Sequence, residues 1–365
     1  MHFDTKFFME EMKMKKVISL LLVLCMVFAL CACGGTEEAA APAEEAAAPA
    51  VDDTVYTLNF YHTFAGTGQE QEWILKAAEE ISAQTDGKVV IEVVPDGTMG
   101  GEDETIPQVM AGALDMSLSG PSVWGTNAGI TALDWSEYPY VVTNYSEMNA
   151  LGEILPDITN KQLEELGVGL YCLGAMSQGI RCLCTIDPVN TMADAEGLKI
   201  RVPTSNVYES TVAAWGCSPT AMSSSQVITG LANKTIDGFE SDPGSIIPRG
   251  QQESFGYYTE TNHIASLNLL MINKAKLESL PAEYQDVIKT VFKDICVQQC
   301  YDRVDYNNEL TQVMIDAGVE VVTLDEAVFE EFRAAAYAFS AAQIEKEGVQ
   351  AYVDEAMAYV AANAK

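Results

Sequence analysis

Three short apolar runs separated by two amphipathic stretches fill residues 55–119, and this alternation narrows the choice of fold more than any other feature of the 365-residue chain. Residues 55–62 alternate Val-Tyr-Thr-Leu-Asn-Phe-Tyr-His, the period of a half-buried strand. Residues 71–85 carry Trp73, Ile74, Ala77, Ala78 and Ile81 at helical spacing. A second strand, 89–94, enters through Asp86-Gly87 and leaves through Pro95-Asp96-Gly97. From Gly100-Gly101-Glu102 a helix runs to about residue 113 and leads to a third strand at 114–119. Strands alternating with helices at this spacing predict βαβ units, a parallel sheet and an α/β fold. Ligands of such sheets sit beyond the carboxyl ends of the strands. His62, the 98–102 segment with Glu102, and Ser119 therefore gather round one crevice. His62 reads equally well as a hydrogen-bonded structural histidine.

Farther along, residues 134–140 are aromatic and end in a proline turn, with Trp135, Tyr138 and Tyr140 as pocket walls or core. The spacing predicts a helix over 148–166, β segments over 169–175 and 180–186, and a strand over 199–202. A helix over 206–215 is capped by Thr204 or Ser205 and closed by Gly216. Another, over 223–232, opens on three serines whose free backbone N–H groups favour an anion. A strand over 235–240 brings Ser241-Asp242-Pro243 to its carboxyl end. Strand 265–273, one long helix or two over 282–314, strand 319–324 and helix from 326 onwards complete the alternation.

Nearly half the chain (48%) is hydrophobic, enough for two domains with real cores, while the formal net charge is -33. That acidity excludes nucleic acid and an anionic lipid surface as direct partners, since both reward clustered Lys and Arg. Lys13, Lys15 and Lys16 precede an apolar run at 17–30, the pattern of an export signal, and the acidic opening at 1–11 places the start of translation at Met12 or Met14. The signal ends in Leu30-Cys31-Ala32-Cys33, which resembles a bacterial lipobox with Cys33 as the lipidated residue. Residues 34–53 are Ala, Pro and Glu, the composition of a self-repelling tether behind a lipid anchor. Six cysteines remain beyond the signal (Cys172, Cys182, Cys184, Cys217, Cys296, Cys300), an even number that permits disulfides but reads more simply as small buried hydrophobes. No zinc spacing with histidine occurs, and no metal or other cofactor is expected.

Arginine is scarce. The chain has five (Arg181, Arg201, Arg249, Arg303, Arg333), and Arg181 and Arg201 lie on β-like segments twenty residues apart. A guanidinium grips a carboxylate through two parallel hydrogen bonds, so this pair predicts a pocket for a small organic anion.

Around these arginines stand Gly197-Leu198-Lys199-Ile200-Arg201-Val202-Pro203, then Val207-Tyr208-Glu209, Ala214-Trp215-Gly216, Met222, Val227 and Asp237-Gly238-Phe239-Glu240. With Gly100-Gly101-Glu102 and Ala113-Leu114-Asp115-Met116, they make residues 55–330 resemble the DctP family, the solute-binding proteins of TRAP transporters. The resemblance implies a two-domain periplasmic-binding-protein-like fold with a cleft between the domains and a long helix spanning both. Its implied domains are 54–178 plus 267–306 and 179–266 plus 307–340, after a signal at 1–32 and a tether at 33–53, with a C-terminal helix at 341–365. It also implies a bidentate salt bridge from Arg201 to the ligand carboxylate, joined by Arg181. Phe239, Ser241, Thr204 and Ser224 lie at positions that shape the family's pocket, and Asp242, facing the cleft, would receive a hydroxyl or an amine.

The function expected is that of an exported, lipid-anchored monomer on the outer face of the cytoplasmic membrane. It captures a carboxylate and delivers it to TRAP permease subunits. A sensory co-receptor on the same scaffold is the alternative, ahead of an ABC-type binding protein or an extracellular enzyme. For an enzyme the chain offers three histidines, of which His2 precedes the signal, and no G-x-S-x-G, H-E-x-x-H, Walker or Rossmann fingerprint.

Overall fold

The computed structural model describes residues 53–365, which form one compact unit. The export signal, Cys33 and the tether up to residue 52 lie outside the described residues. Among the described residues, no helix is long and apolar enough to cross a membrane.

The first part follows the alternation read from sequence: β1 (Tyr56–His62), α1 (Gln69–Gln84), β2 (Val89–Val94), α2 (Glu102–Ala111) and β3 (Met116–Ser119). Both β2 and β3 pair in parallel with β1, as βαβ units require. Next come α3 (Pro121–Ala128), a 3-10 helix at Thr131–Glu137 and α4 (Tyr145–Glu165). Trp135, Tyr138 and Tyr140 are buried core.

The strand β4 (Leu170–Thr185) runs unbroken for 16 residues through the two segments expected at 169–175 and 180–186. It stays continuous because Gly179, at φ +125°, lets the backbone pass a place where a side chain has no room; a Cβ there would lie 2.2 Å from Asn307 Nδ2. Then follow α5 (Met192–Ala195), β5 (Lys199–Val202), α6 (Asn206–Ala214), β6 (Ser218–Ala221), α7 (Val227–Ala232), β7 (Gly238–Ser241) and α8 (Pro243–Ile246). Ser205 caps α6 by accepting from the Val207 N–H. The chain closes with β8 (Tyr257–Asn273), α9 (Lys274–Glu278), α10 (Ala282–Asp316), β9 (Glu320–Val322), α11 (Glu326–Glu347) and α12 (Gln350–Asn363). The helix read from 326 to the end is thus two helices, broken where Gly348 turns left-handed at φ +66°.

All nine strands found among the described residues join one mixed sheet, ordered β2-β1-β3-β8-β4-β7-β5-β6, with β9 on β8. The parallel sheet expected from the βαβ units holds for β1, β2 and β3, while β4 and β8 make the whole sheet mixed by pairing antiparallel along nearly their whole lengths. Leu269–Ile272 of β8 carry β3, whereas Cys182–Thr185 of β4 carry β7, and Tyr257–Thr259 of β8 carry β9. Two lobes therefore share two strands, and the molecule has the two-domain periplasmic-binding-protein-like fold. Three register shifts interrupt the β4–β8 ladder between Cys172 and Leu183. Helix α10 spans 35 residues, about 50 Å. Its buried row Ile288, Val291, Phe292, Ile295, Cys296, Gln299, Arg303 and Asn307 follows helical periodicity and lies against β4.

Candidate functional site

Arg201 lies on β5, flanked in parallel by β6 and β7, with 6% of its surface exposed. Its Nε and Nη2 both donate to the carbonyl of Met222, at 2.9 and 2.6 Å. Among the described residues no carboxylate pairs with it, and burial pulls its pKa down to about 10. A buried cation held by one carbonyl is poorly compensated.

Arg181, on β4, is buried too but already occupied. It grips Glu240 of β7 in a fork: Nε donates to Oε2, and Nη2 donates to Oε1 at 2.8 Å and to the Glu240 carbonyl at 2.8 Å. Burial alone would lower the Arg181 pKa and raise that of Glu240. Their mutual attraction overrides it, holding the guanidinium well above and the carboxyl below their usual ranges. His263 stands 3.5 Å from the same carboxylate.

Both arginines line a small cavity of about 60 Å³, room for roughly four water-sized groups. Ser119, Glu102 and Ser224 line it as well, so five of the ten residues singled out from sequence converge there. Ser119 Oγ is buried without a hydrogen-bond partner. Glu102 opens α2 and accepts from Thr63 Oγ1 at 2.6 Å. The serine run at 223–225 does not begin the helix expected to cradle an anion. It forms a 3-10 turn whose capping box joins Ser223 to Gln226, and α7 follows with six residues.

The other five residues lie elsewhere. Asp242 is wholly buried with its back to the cavity: it caps α8 through the Ser245 N–H (3.1 Å) and pairs with Arg303 of α10 (3.1 Å). The strand end that was expected to present it to the cleft instead turns into a helix. Phe239 packs edge-on against Phe255, 5.3 Å between centroids, in an apolar cluster. His62 is the structural histidine of the two readings, bonded through Nε2 to Gln71 Oε1 (2.8 Å) and driven by burial to a pKa of about 4. Ser241 is absorbed in the β4–β7 ladder, and Thr204 offers its carbonyl to Asn127 Nδ2.

Sequence reasoning passed over several wall residues. Arg249, in a 3-10 turn at Ile247–Arg249, donates from Nη2 to the Thr63 carbonyl (2.8 Å) and has no carboxylate partner among the described residues. Desolvation lowers its pKa. Scarcity marked it as clearly as Arg181, but it lies between Pro248 and Gly250 and not in a β-like run. It also lines a second, outer chamber of about 500 Å³, with Thr63 and Ser224 shared between the two. Tyr208, Gln178, Ser266 and Asn268 add further polar groups to the inner wall, beside the apolar Phe64, Val123 and Pro203. Tyr208 lies under Arg181, whose Cζ is 5.1 Å from the ring centroid.

Behind Tyr208 and Ser266 sits Glu137, fully buried. Oε1 accepts from Tyr208 OH (2.8 Å) and Ser266 Oγ (3.0 Å), and Oε2 from the N–H (2.9 Å) and Oγ (2.7 Å) of Ser122. Burial pushes its pKa up and these four donors oppose the rise. Only glycine fits at position 120, where a Cβ would come within 2.8 Å of both Glu137 oxygens. All six cysteines beyond the signal are free and buried. No cluster of metal-ligating side chains occurs among the described residues.

A polar cleft between two lobes, lined by the buried, unpaired Arg201 and the half-buried, unpaired Arg249, suits a small anion. The family model for bacterial extracellular solute-binding proteins, family 7 (DctP), matches residues 62–347. A solute-binding protein of Roseobacter denitrificans is 29% identical over 270 residues, covering 72% of this chain and 81% of that protein. The 2,3-diketo-L-gulonate-binding periplasmic protein of Escherichia coli is 28% identical over 280 residues, covering 75% and 84%. Among solved structures, a TRAP periplasmic solute-binding protein from Citrobacter koseri with bound D-glucuronate has a TM-score of 0.73 at 27% identity, covering 82% of this chain and 99% of that one. The chain is therefore a TRAP-transporter solute-binding protein of the DctP family, a class of transport receptors rather than enzymes.

Proposed function

We propose that this receptor captures a hydroxylated monocarboxylate of about six carbons, a sugar acid, with Arg201 as the carboxylate clamp. The observation that carries this reading is the Arg201 guanidinium, buried in a polar cavity with no carboxylate of its own. A ligand carboxylate would supply the bidentate partner that the Met222 carbonyl cannot. Charge points to the ligand class: with Arg181 paired to Glu240, Arg201 and Arg249 face the cavity against Glu102 alone, an imbalance that a monoanion neutralises. Glu102, beside Thr63, then accepts ligand hydroxyls. The inner chamber suits a carboxylate and its first carbons, and the remainder reaches past Arg249 into the outer chamber. D-glucuronate in the Citrobacter koseri protein and 2,3-diketo-L-gulonate, named for the Escherichia coli one, are sugar acids of this kind.

The finer parts of the reading are an anchor at Cys33, delivery to membrane permease subunits, and lobes that divide near Gly179 and Ser266, which face each other in the β4–β8 register. Thermal shift of the full chain against D-glucuronate, 2,3-diketo-L-gulonate and succinate tests the ligand class. Stabilisation by the sugar acids, absent in Arg201→Ala, is the expected result. No shift with any carboxylate would overturn it.

A further inference from the structure

We propose that Glu137, which does not line the cavity, is the positioning residue that makes the receptor select hydroxylated acids, by holding the hydroxyl hydrogens of Tyr208 and Ser266 away from the ligand. The inference rests on the carboxylate reading above and adds a determinant of specificity to it.

Hydroxyl groups donate or accept according to where their hydrogen is drawn. Behind the cavity the directions are set by the Glu137 carboxylate, which can only accept, and by backbone N–H groups that can only donate. The Val207 N–H at the start of α6 donates to Ser205 Oγ (3.3 Å). Ser205 Oγ donates to Ser122 Oγ (2.8 Å), and Ser122 Oγ donates to Glu137 Oε2 (2.7 Å). The Ser122 N–H adds a second donor at the same oxygen. Oε2 is thereby filled, and Oε1 is left for Tyr208 and Ser266. Four donors on two oxygens match the full accepting capacity of an ionised carboxylate.

With their hydrogens turned to Glu137, Tyr208 and Ser266 face the ligand as bare oxygen lone pairs. A ligand hydroxyl donates to them; a methylene leaves them desolvated and unmatched, which is the stronger source of discrimination. Ser119 Oγ, buried and unpartnered in the same wall, is free to donate or accept as the ligand requires.

Glu137→Gln reverses this with almost no change of shape. The two Ser122 donors hold the amide oxygen at the Oε2 position, so the NH2 group falls at Oε1 and donates to Tyr208 and Ser266. The Tyr208 hydrogen is then released towards the cavity. Ser266 can turn to Gln178 Oε1, 3.2 Å away.

The test is calorimetric titration of the full-length receptor with D-glucuronate and with succinate. Glu137→Gln is expected to bind D-glucuronate about 10- to 100-fold more weakly, with succinate binding no weaker than in the wild type. Tyr208→Phe, which deletes the acceptor, is expected to lose D-glucuronate affinity similarly, and Glu137→Gln is expected to cost less in the Tyr208→Phe background than alone. D-glucuronate affinity within threefold of wild type in Glu137→Gln would overturn the inference, as would additive effects in the double variant, the signature of a merely structural role. If Glu137→Gln fails to fold, Tyr208→Phe and Ser266→Ala decide: selective loss of D-glucuronate supports the inference, and equal loss of both ligands refutes it. A wild type that binds both acids equally refutes the inference while leaving the carboxylate reading intact. A wild type that binds neither defeats that reading and the inference with it.

Discussion

Arg303 and Arg201 are both buried arginines, yet the protein treats their charges in opposite ways. Arg303, on the long helix, meets Glu70 and Asp242 at 3.1 Å each, and Gln69 and the Gln178 carbonyl besides. Burial works against its charge and the two carboxylates more than restore it, so its pKa lies above the usual value. Arg201 has only the Met222 carbonyl, and its pKa falls to about 10. In the first case the fold supplies the counter-charge; in the second, one is wanting. Burial alone does not distinguish a cation that the fold has neutralised from one left for another anion, and its partners do.

Arg303→Met should destabilise the protein by about 3–5 kcal/mol in urea unfolding, because Glu70 and Asp242 would remain buried and unpaired. Arg201→Met should do the reverse. A lowered arginine pKa means that the folded state disfavours the charge at neutral pH, so its removal should leave the melting temperature unchanged or higher. Ligand affinity should fall about 100-fold or more, read by calorimetry. A large loss of stability in Arg201→Met would put both arginines in one class and end the contrast.

Arg249 is an intermediate case, half-buried and bonded to one carbonyl. Arg249→Ala should weaken D-glucuronate by about tenfold, less than Arg201 because the site retains its clamp. Asp134, a buried acid that has no ion-pair partner among the described residues, mirrors Arg201 in sign. Burial, with Glu137 and Glu347 nearby, raises its pKa to about 8. The folded state therefore holds this proton more tightly than the unfolded chain, and its stabilising effect is lost as pH rises from about 4 towards about 8. Asp134→Asn should flatten that part of the stability–pH curve and raise the melting temperature at pH 8 by a few degrees, the smallest of these effects.

The place of Arg201 in the cavity wall was legible in the sequence because arginine is rare here and the residue sits in an apolar strand run. The places of Ser119 and Glu102 followed from the rule that clefts open beyond strand ends. Asp242 misled for a physical reason. An acid after a strand looks the same whether its side chain turns to the cleft or to a helix, and its partner Arg303 is 61 residues away. Glu137 was hidden in an aromatic stretch, with donors contributed by α3, α6 and β8 that no local pattern brings together. The alternation of strands and helices fixed the class of fold. It was silent on β4 and β8, because two β runs joined by a glycine do not reveal whether the chain turns there or continues.

That continuity bears on how the molecule can be divided. Each lobe borrows part of β4 and part of β8, so neither is a module that can be excised and expressed by itself. A chain cut between the lobes would leave the broken halves of both strands as open sheet edges, the kind that recruit other chains. Fragments ending near Gly179 should accumulate as aggregates and recover a native fold only when the complementary piece is supplied. For the same reason the sheet cannot be completed early from one end of the chain: β4 must await β8, whose Asn268 lies 92 residues beyond its register partner Met176, before either lobe has its central ladder.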